Sequence, residues 1–123
     1  METCLSVQHV SKQYTDGTKA LNDVSFDIKQ GEFVSIIGPS GAGKSTLLRT
    51  LNQLVIPTQG KIEFNGREVT NASSRVIREV RREMGMIFQS FNLINRVSVL
   101  NNVLHGRLGY MSSIRGMFGI YSK

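Results

Sequence analysis

Nine consecutive residues, Gly38-Pro39-Ser40-Gly41-Ala42-Gly43-Lys44-Ser45-Thr46, are the part of this sequence whose types and spacing could do chemistry. They fit G-x-x-x-x-G-K-[ST], the pattern of a loop that wraps the phosphates of a nucleotide. Glycines at 38, 41 and 43 let the backbone curl and approach a phosphate without a Cβ in the way. The loop stands where a helix would begin, so unpaired N–H groups and the positive end of the helix dipole point at the ligand. In this pattern Lys44 reaches the β- and γ-phosphates and the Ser45 hydroxyl binds Mg²⁺. An ordinary glycine-rich turn is the plainer reading, and the complete motif between a strand signal and a helix signal outweighs it.

Such a loop needs a strand before it and a helix after it. Residues 32–37 (EFVSII) read as a buried strand, and residues 44–54 as a helix that stops before Pro57, which cannot continue it. Upstream, residues 4–10 place Leu5, Val7 and His9 on one face of a half-buried strand. Asp16-Gly17 is a turn signal, and Val24, Phe26 and Ile28 then alternate with polar residues in a second strand. Downstream, Ile62 and Phe64 share a face of a short strand closed by the Asn65-Gly66 turn. Ser73-Ser74 can cap a helix with Val76, Ile77, Val80 and Met84 at helical spacing. Residues 84–88 (MGMIF) read as another buried strand, and 97–107 as a helix with Val99, Val103 and Leu104 on one face. From Gly106 no sustained period remains. An antiparallel start that feeds a strand, a phosphate loop and a helix is the pattern of an α/β nucleotide-binding core.

Composition agrees with one globular domain: 123 residues, 40% hydrophobic and 20% charged. The net charge of +6 suits nucleic acid, an anionic membrane surface or a polyanionic ligand such as ATP, and does not choose among them. Arg75, Arg78, Arg81 and Arg82 cluster on one helix, but no aromatic residues interleave to stack bases. A solvated helix face is the better reading, with no nucleic-acid partner. Cys4 is the sole cysteine, so no internal disulfide forms, which fits a reducing compartment. No apolar run approaches the roughly 18–20 residues of a membrane span, and the first residues carry no secretory signal. The expectation is a cytosolic chain that meets a membrane only through a partner. His9 and His105 have no companions that would make a metal site.

Along nearly its whole length the chain resembles the N-terminal part of the ATP-binding subunit of an ABC transporter. The resemblance rests on GPSGAGKST at 38–46, on Pro57-Thr58-Gln59-Gly60-Lys61-Ile62, and on MGMIFQSFNLI at 84–94. It implies a P-loop NTPase core with an antiparallel β subdomain, C-terminally incomplete, residues 1–123 forming the first part of a nucleotide-binding domain. Tyr14 stands where the family stacks an aromatic on adenine; a half-exposed strand-end aromatic is the plainer alternative. Gln89 matches the glutamine that contacts Mg²⁺ near the γ-phosphate and begins the segment touching the membrane-spanning partner. The implied ligands are ATP and Mg²⁺. The implied partners are permease subunits, a second ATP-binding subunit and, indirectly, a substrate-binding protein, at the cytoplasmic face of the membrane. The wording NVLHGRLG at 102–109 is most similar to the phosphonate-import branch. Importers of amino acids, methionine or lipoproteins share most of the rest, and a soluble ABC ATPase or a non-catalytic nucleotide-binding stub are the other readings.

The family also needs an apolar strand ending in Asp-Glu, an LSGGQ-type signature and a later histidine. Asp16, Asp23 and Asp27 all precede Lys44, and the acids after it are Glu63, Glu68, Glu79 and Glu83, none ending an apolar strand. Without a water-positioning carboxylate, these residues should bind nucleotide far better than they hydrolyse it. The expectation is the front portion of a longer ATPase.

Overall fold

A computed structural model describes residues 1–90, 93–111 and 117. They divide into two units, 1–80 and 81–123. In the first, strands β1 (Thr3–Gln13) and β2 (Lys19–Lys29) form a long antiparallel hairpin. Helix α1 (Lys44–Leu51) follows, then β3 (Gln59–Phe64) and the short β4 (Arg67–Glu68). The sheet order is β2-β1-β3-β4, antiparallel throughout.

Local chemistry accounts for the connections. The β1–β2 turn closes with Tyr14 N donating to Thr18 O at 2.9 Å and Gly17 N donating to Tyr14 O at 2.9 Å. The Asp16 carboxylate accepts from Thr18 N at 2.9 Å, an Asx turn. At the β3–β4 turn Asn65 (φ 48°) and Gly66 (φ 72°) both take the left-handed conformation that a two-residue hairpin loop requires. Helix α1 stops at Leu51 rather than 54. Gln53 turns left-handed (φ 59°), and Leu54 N caps the Arg49 carbonyl at 2.8 Å, so the end is set by a Schellman-type cap ahead of Pro57.

The core is small. Leu5, Val7 and Val10 of β1, Leu21 of β2, Ile62 of β3, Val69, and Leu47 and Leu51 of α1 are buried. Val7 pairs with Phe26 on one side and Ile62 on the other, so β1 is an interior strand, as β3 is. The strand face expected from alternation holds at Leu5 and Val7 and then breaks. His9 has φ 51°, the register shifts between Val7 and Val10, and Val10 is buried in place of His9, which is exposed. Gly60 admits this bulge: a Cβ there would lie 2.4 Å from the His9 carbonyl oxygen.

Two sequence expectations fail in the same way. Residues 32–37 and 84–88 form no strand, and Phe33 and Ile37 are more than 90% exposed, while Ile87 is fully exposed. Among the described residues, no strand pairs with either run. Apolar runs without a pairing partner have neither a ladder nor a covering layer.

Helix α2 (Ser74–Glu83) starts as its sequence suggests, with Ser73 Oγ accepting from Val76 N at 3.5 Å. Val80 is fully buried, and Arg75 Nε meets Glu79 Oε1 at 3.3 Å on the exposed face. In the second unit, α3 (Val99–His105) is capped by Ser98, which accepts from Asn101 N at 3.2 Å, and a single 3₁₀ turn spans Leu108–Tyr110. The Asn102 side chain accepts from Ile94 N and donates to the carbonyls of Ile94, Val97 and Ser98, which fixes the loop before α3. Val99 and Val103 are exposed, so the expected apolar helix face is not a buried one. Phe91 and Asn92 of the expected partner-contact segment lie outside the described residues, as does the glycine-rich end from 112 onward except Met117.

Candidate functional site: the loop at residues 38–46

The loop leads from the exposed run at 32–37 into α1. Gly41 (φ 80°) and Gly43 (φ 88°) adopt the left-handed conformation, which puts two reversals within three residues of the helix start. Ala42 N donates to Pro39 O at 3.2 Å beside them. Gly43 is the N-cap and offers no side-chain oxygen, and the first helical bond is Leu47 N to Gly43 O at 2.8 Å. The N–H groups of Lys44, Ser45 and Thr46 precede that bond, so helix geometry leaves them without carbonyls behind them. No acidic residue occupies the first turn to compete for them. The loop is thus an anion-facing set of donors built from backbone.

Gly43 is needed for a second reason. An added Cβ would lie 2.2 Å from the Ala20 carbonyl oxygen, so the loop is seated directly on the backbone of β2. Lys44 folds over the loop: its Nζ donates to the carbonyls of Gly38 at 2.7 Å and Pro39 at 2.6 Å. The ammonium is therefore held at the loop mouth by ligands it can exchange for phosphate oxygens. Ser45 is exposed one residue into the helix, and the Thr46 carbonyl accepts from the buried Thr50 hydroxyl at 2.7 Å.

Tyr14 lies in the same unit at the β1–β2 turn, its side chain 42% exposed. Lys12 Nζ stands over its ring, 5.2 Å from the centroid. A polar cavity of about 180 Å³ borders this turn, walled by Lys12, Gln13, Lys19 and Asn22 and lined by no acid. Gln89 belongs to the other unit, exposed at a bend after residues 84–88. The structure brings Gly38 through Thr46 together as one loop and places Tyr14 in the unit that carries it.

These residues fit a magnesium nucleotide. Among the described residues no three His, Cys, Asp or Glu side chains form a metal site, but Mg²⁺ commonly keeps its waters and binds through substrate phosphates with a single protein oxygen. A Ser45 hydroxyl beside a phosphate-facing helix end meets that demand. Sequence reasoning missed the Ala20 carbonyl, a tertiary contact without a local signal, and Lys12. The latter carries no motif signal either, because Tyr14 lies just past the end of β1 and the register shifts between Lys12 and Gln13.

A strand hairpin, a glycine loop seated on it and a helix that opens on a lysine define a nucleotide-binding cassette. The family profile described as ABC transporter matches residues 21–121, and the chain belongs to that family. Its fold is that of ABC ATPase cassettes. The dimeric ATP-binding cassette MJ0796, in a post-hydrolysis state with ADP and phosphate, superposes with a TM-score of 0.76 at 35% identity, over 90% of this chain and 51% of that one. For cbiO1 from Clostridium perfringens, part of the cbiONQ ABC transporter complex, the TM-score is 0.73 at 30% identity, over 97% of this chain and 47% of that one. The phosphonates import ATP-binding protein PhnC 2 of Halalkalibacterium halodurans is 53% identical over 115 residues, 94% of this chain and 47% of its own length. The phosphonates import ATP-binding protein PhnC of Bacillus anthracis is 50% identical over 119 residues, 97% and 46% respectively. The chain spans about half the length of the curated relatives it matches. No helix among the described residues is long and apolar enough to cross a membrane.

Proposed function

We propose that this chain is the phosphate-binding portion of the ATPase subunit of an ABC importer, and that the importer takes up phosphonates or related phosphorus oxyanions. The observation that carries the nucleotide reading is the loop: two left-handed glycines opening into α1, with the Lys44 ammonium held over them. Support for the transported class comes from the names of the relatives at about half identity.

In this reading the backbone N–H groups of residues 43–46 and the Lys44 ammonium bind the β- and γ-phosphates. Gly38, Pro39, Ser40, Gly41 and Ala42 shape the cradle around them. The Ser45 hydroxyl would hold a Mg²⁺ ion, whose charge would offset that of the phosphates, and the resemblance of residues 84–94 to the family gives Gln89 a Mg²⁺ contact as well. Tyr14 stacks on the adenine. A second ATP-binding subunit closes over the nucleotide, and permease subunits at the cytoplasmic face of the membrane receive the motion through Gln89 and the segment after it. The acids that follow Lys44 provide no water-positioning carboxylate, so these 123 residues hold ATP without turning it over.

Deleting the gene in its source cells tests the transported class. Growth on a phosphonate as sole phosphorus source should be lost, with growth on inorganic phosphate unchanged. Undiminished growth on the phosphonate contradicts the assignment. Nucleotide binding by the chain itself tests the other half of the proposal.

A further inference from the structure

We infer that Lys12 is a positioning residue for base recognition: it backs one face of the Tyr14 ring, so that a purine stacks on the other. The inference rests on the nucleotide reading above and assigns a role to a residue that no motif includes.

The geometry is specific. Lys12 Nζ stands over the ring at 5.2 Å and is itself fixed by donating to the Ile56 carbonyl at 2.8 Å. Among the described residues no carboxylate pairs with this ammonium, so its field falls on the ring instead of being neutralised. The backbone beneath is pinned on both sides. Gln13 N donates to Thr58 Oγ1 at 3.0 Å, and Tyr14 N donates to Thr18 O at 2.9 Å. What remains adjustable is the ring, and the ammonium restrains it.

Two consequences follow from elementary electrostatics. A cation on one face attracts the π density of the ring, which holds the ring in place and leaves the opposite face electron-poor. It also obstructs the near face, so a flat base has one face on which to stack. Lys12 therefore acts through Tyr14, on the base, while the phosphates are bound elsewhere by Lys44 and the loop.

Isothermal titration of the 123-residue chain with MgATP and, separately, with inorganic tripolyphosphate tests this. Lys12→Met should weaken ATP about three- to fivefold, the size of an exposed cation–π contact, and leave tripolyphosphate unchanged. Lys12→Arg should keep the wild-type affinity. Tyr14→Leu should weaken ATP about tenfold or more, and adding Lys12→Met to it should cost nothing further. The inference is overturned if Lys12→Met binds ATP as the wild type does, if it weakens both ligands equally, or if its effect persists in Tyr14→Leu. A wild-type chain that binds neither ligand overturns the nucleotide reading itself, and this inference with it. Should Lys12→Met fail to fold, the unmutated lysine still reports: its ε-methylene protons should be shifted upfield by the ring current and return to ordinary values in Tyr14→Leu.

Discussion

The Ala20 carbonyl oxygen lies 2.2 Å from where a Cβ on Gly43 would be. The phosphate loop is thereby locked to β2 by a contact that one residue type permits. Gly43→Ala must relieve a backbone collision and also hold φ near 88°. The expected cost is at least ~2 kcal/mol of stability. Gly41→Ala, left-handed as well but with no atom near its Cβ position, should cost only about 1 kcal/mol. Urea unfolding of both variants checks this, and equal losses would show that the Ala20 contact has no bearing on the loop.

The catalytic deficit is a second prediction. Nothing after Lys44 in these 123 residues resembles a carboxylate set to orient water, so multiple-turnover hydrolysis by the isolated chain should be undetectable. Sustained phosphate release that disappears in Lys44→Ala would contradict it, because it would require a water-orienting base among residues that offer none.

Residues 32–37 carry a third. Phe33 and Ile37 are almost wholly exposed and their backbone joins no sheet among the described residues, an arrangement that invites edge pairing between molecules. Changing both to lysine should raise the solubility limit several-fold, yet alter stability by less than about 0.5 kcal/mol, the usual range for surface changes. Amides at 33–37 should exchange freely while those of β1 are protected. Protection at 33–37 equal to that in β1 would show that the segment is paired.

What is legible in the sequence divides along the line between local and non-local physics. The loop, the Asn65-Gly66 turn and the starts of α1 and α2 are legible because a few adjacent residues set them. The bulge at His9 is not, because it depends on Gly60 of a neighbouring strand. The runs at 32–37 and 84–88 fail as buried strands for a different reason. An apolar run records a demand for burial, and the partner that would meet it must come from elsewhere. The site divides the same way, with Lys44 and Ser45 evident from the motif and the seat on Ala20 evident only in three dimensions.

Acid tests the β1–β2 turn. The Thr18 N–H, with help from the Thr18 side chain, holds the Asp16 carboxyl below its ordinary range. A depressed folded-state value means that the contact's stabilisation is complete above the unfolded carboxylate range and disappears as pH falls through the folded value. An NMR titration should therefore place Asp16 below a free aspartate, and Thr18→Pro, which removes the backbone donor, should return it. A normal midpoint in the wild type would contradict the assignment.

The central claim is that the loop at 38–46 binds the phosphates of a nucleotide through Lys44. Calorimetric titration of MgATP into the wild-type chain and into Lys44→Ala tests it most directly. Saturable binding in the wild type, weakened about ten- to a hundredfold by loss of the charged hydrogen-bond donor while the fold is retained, is the predicted result. Absence of binding in a folded wild-type chain, or equal affinity in the two proteins, would contradict it.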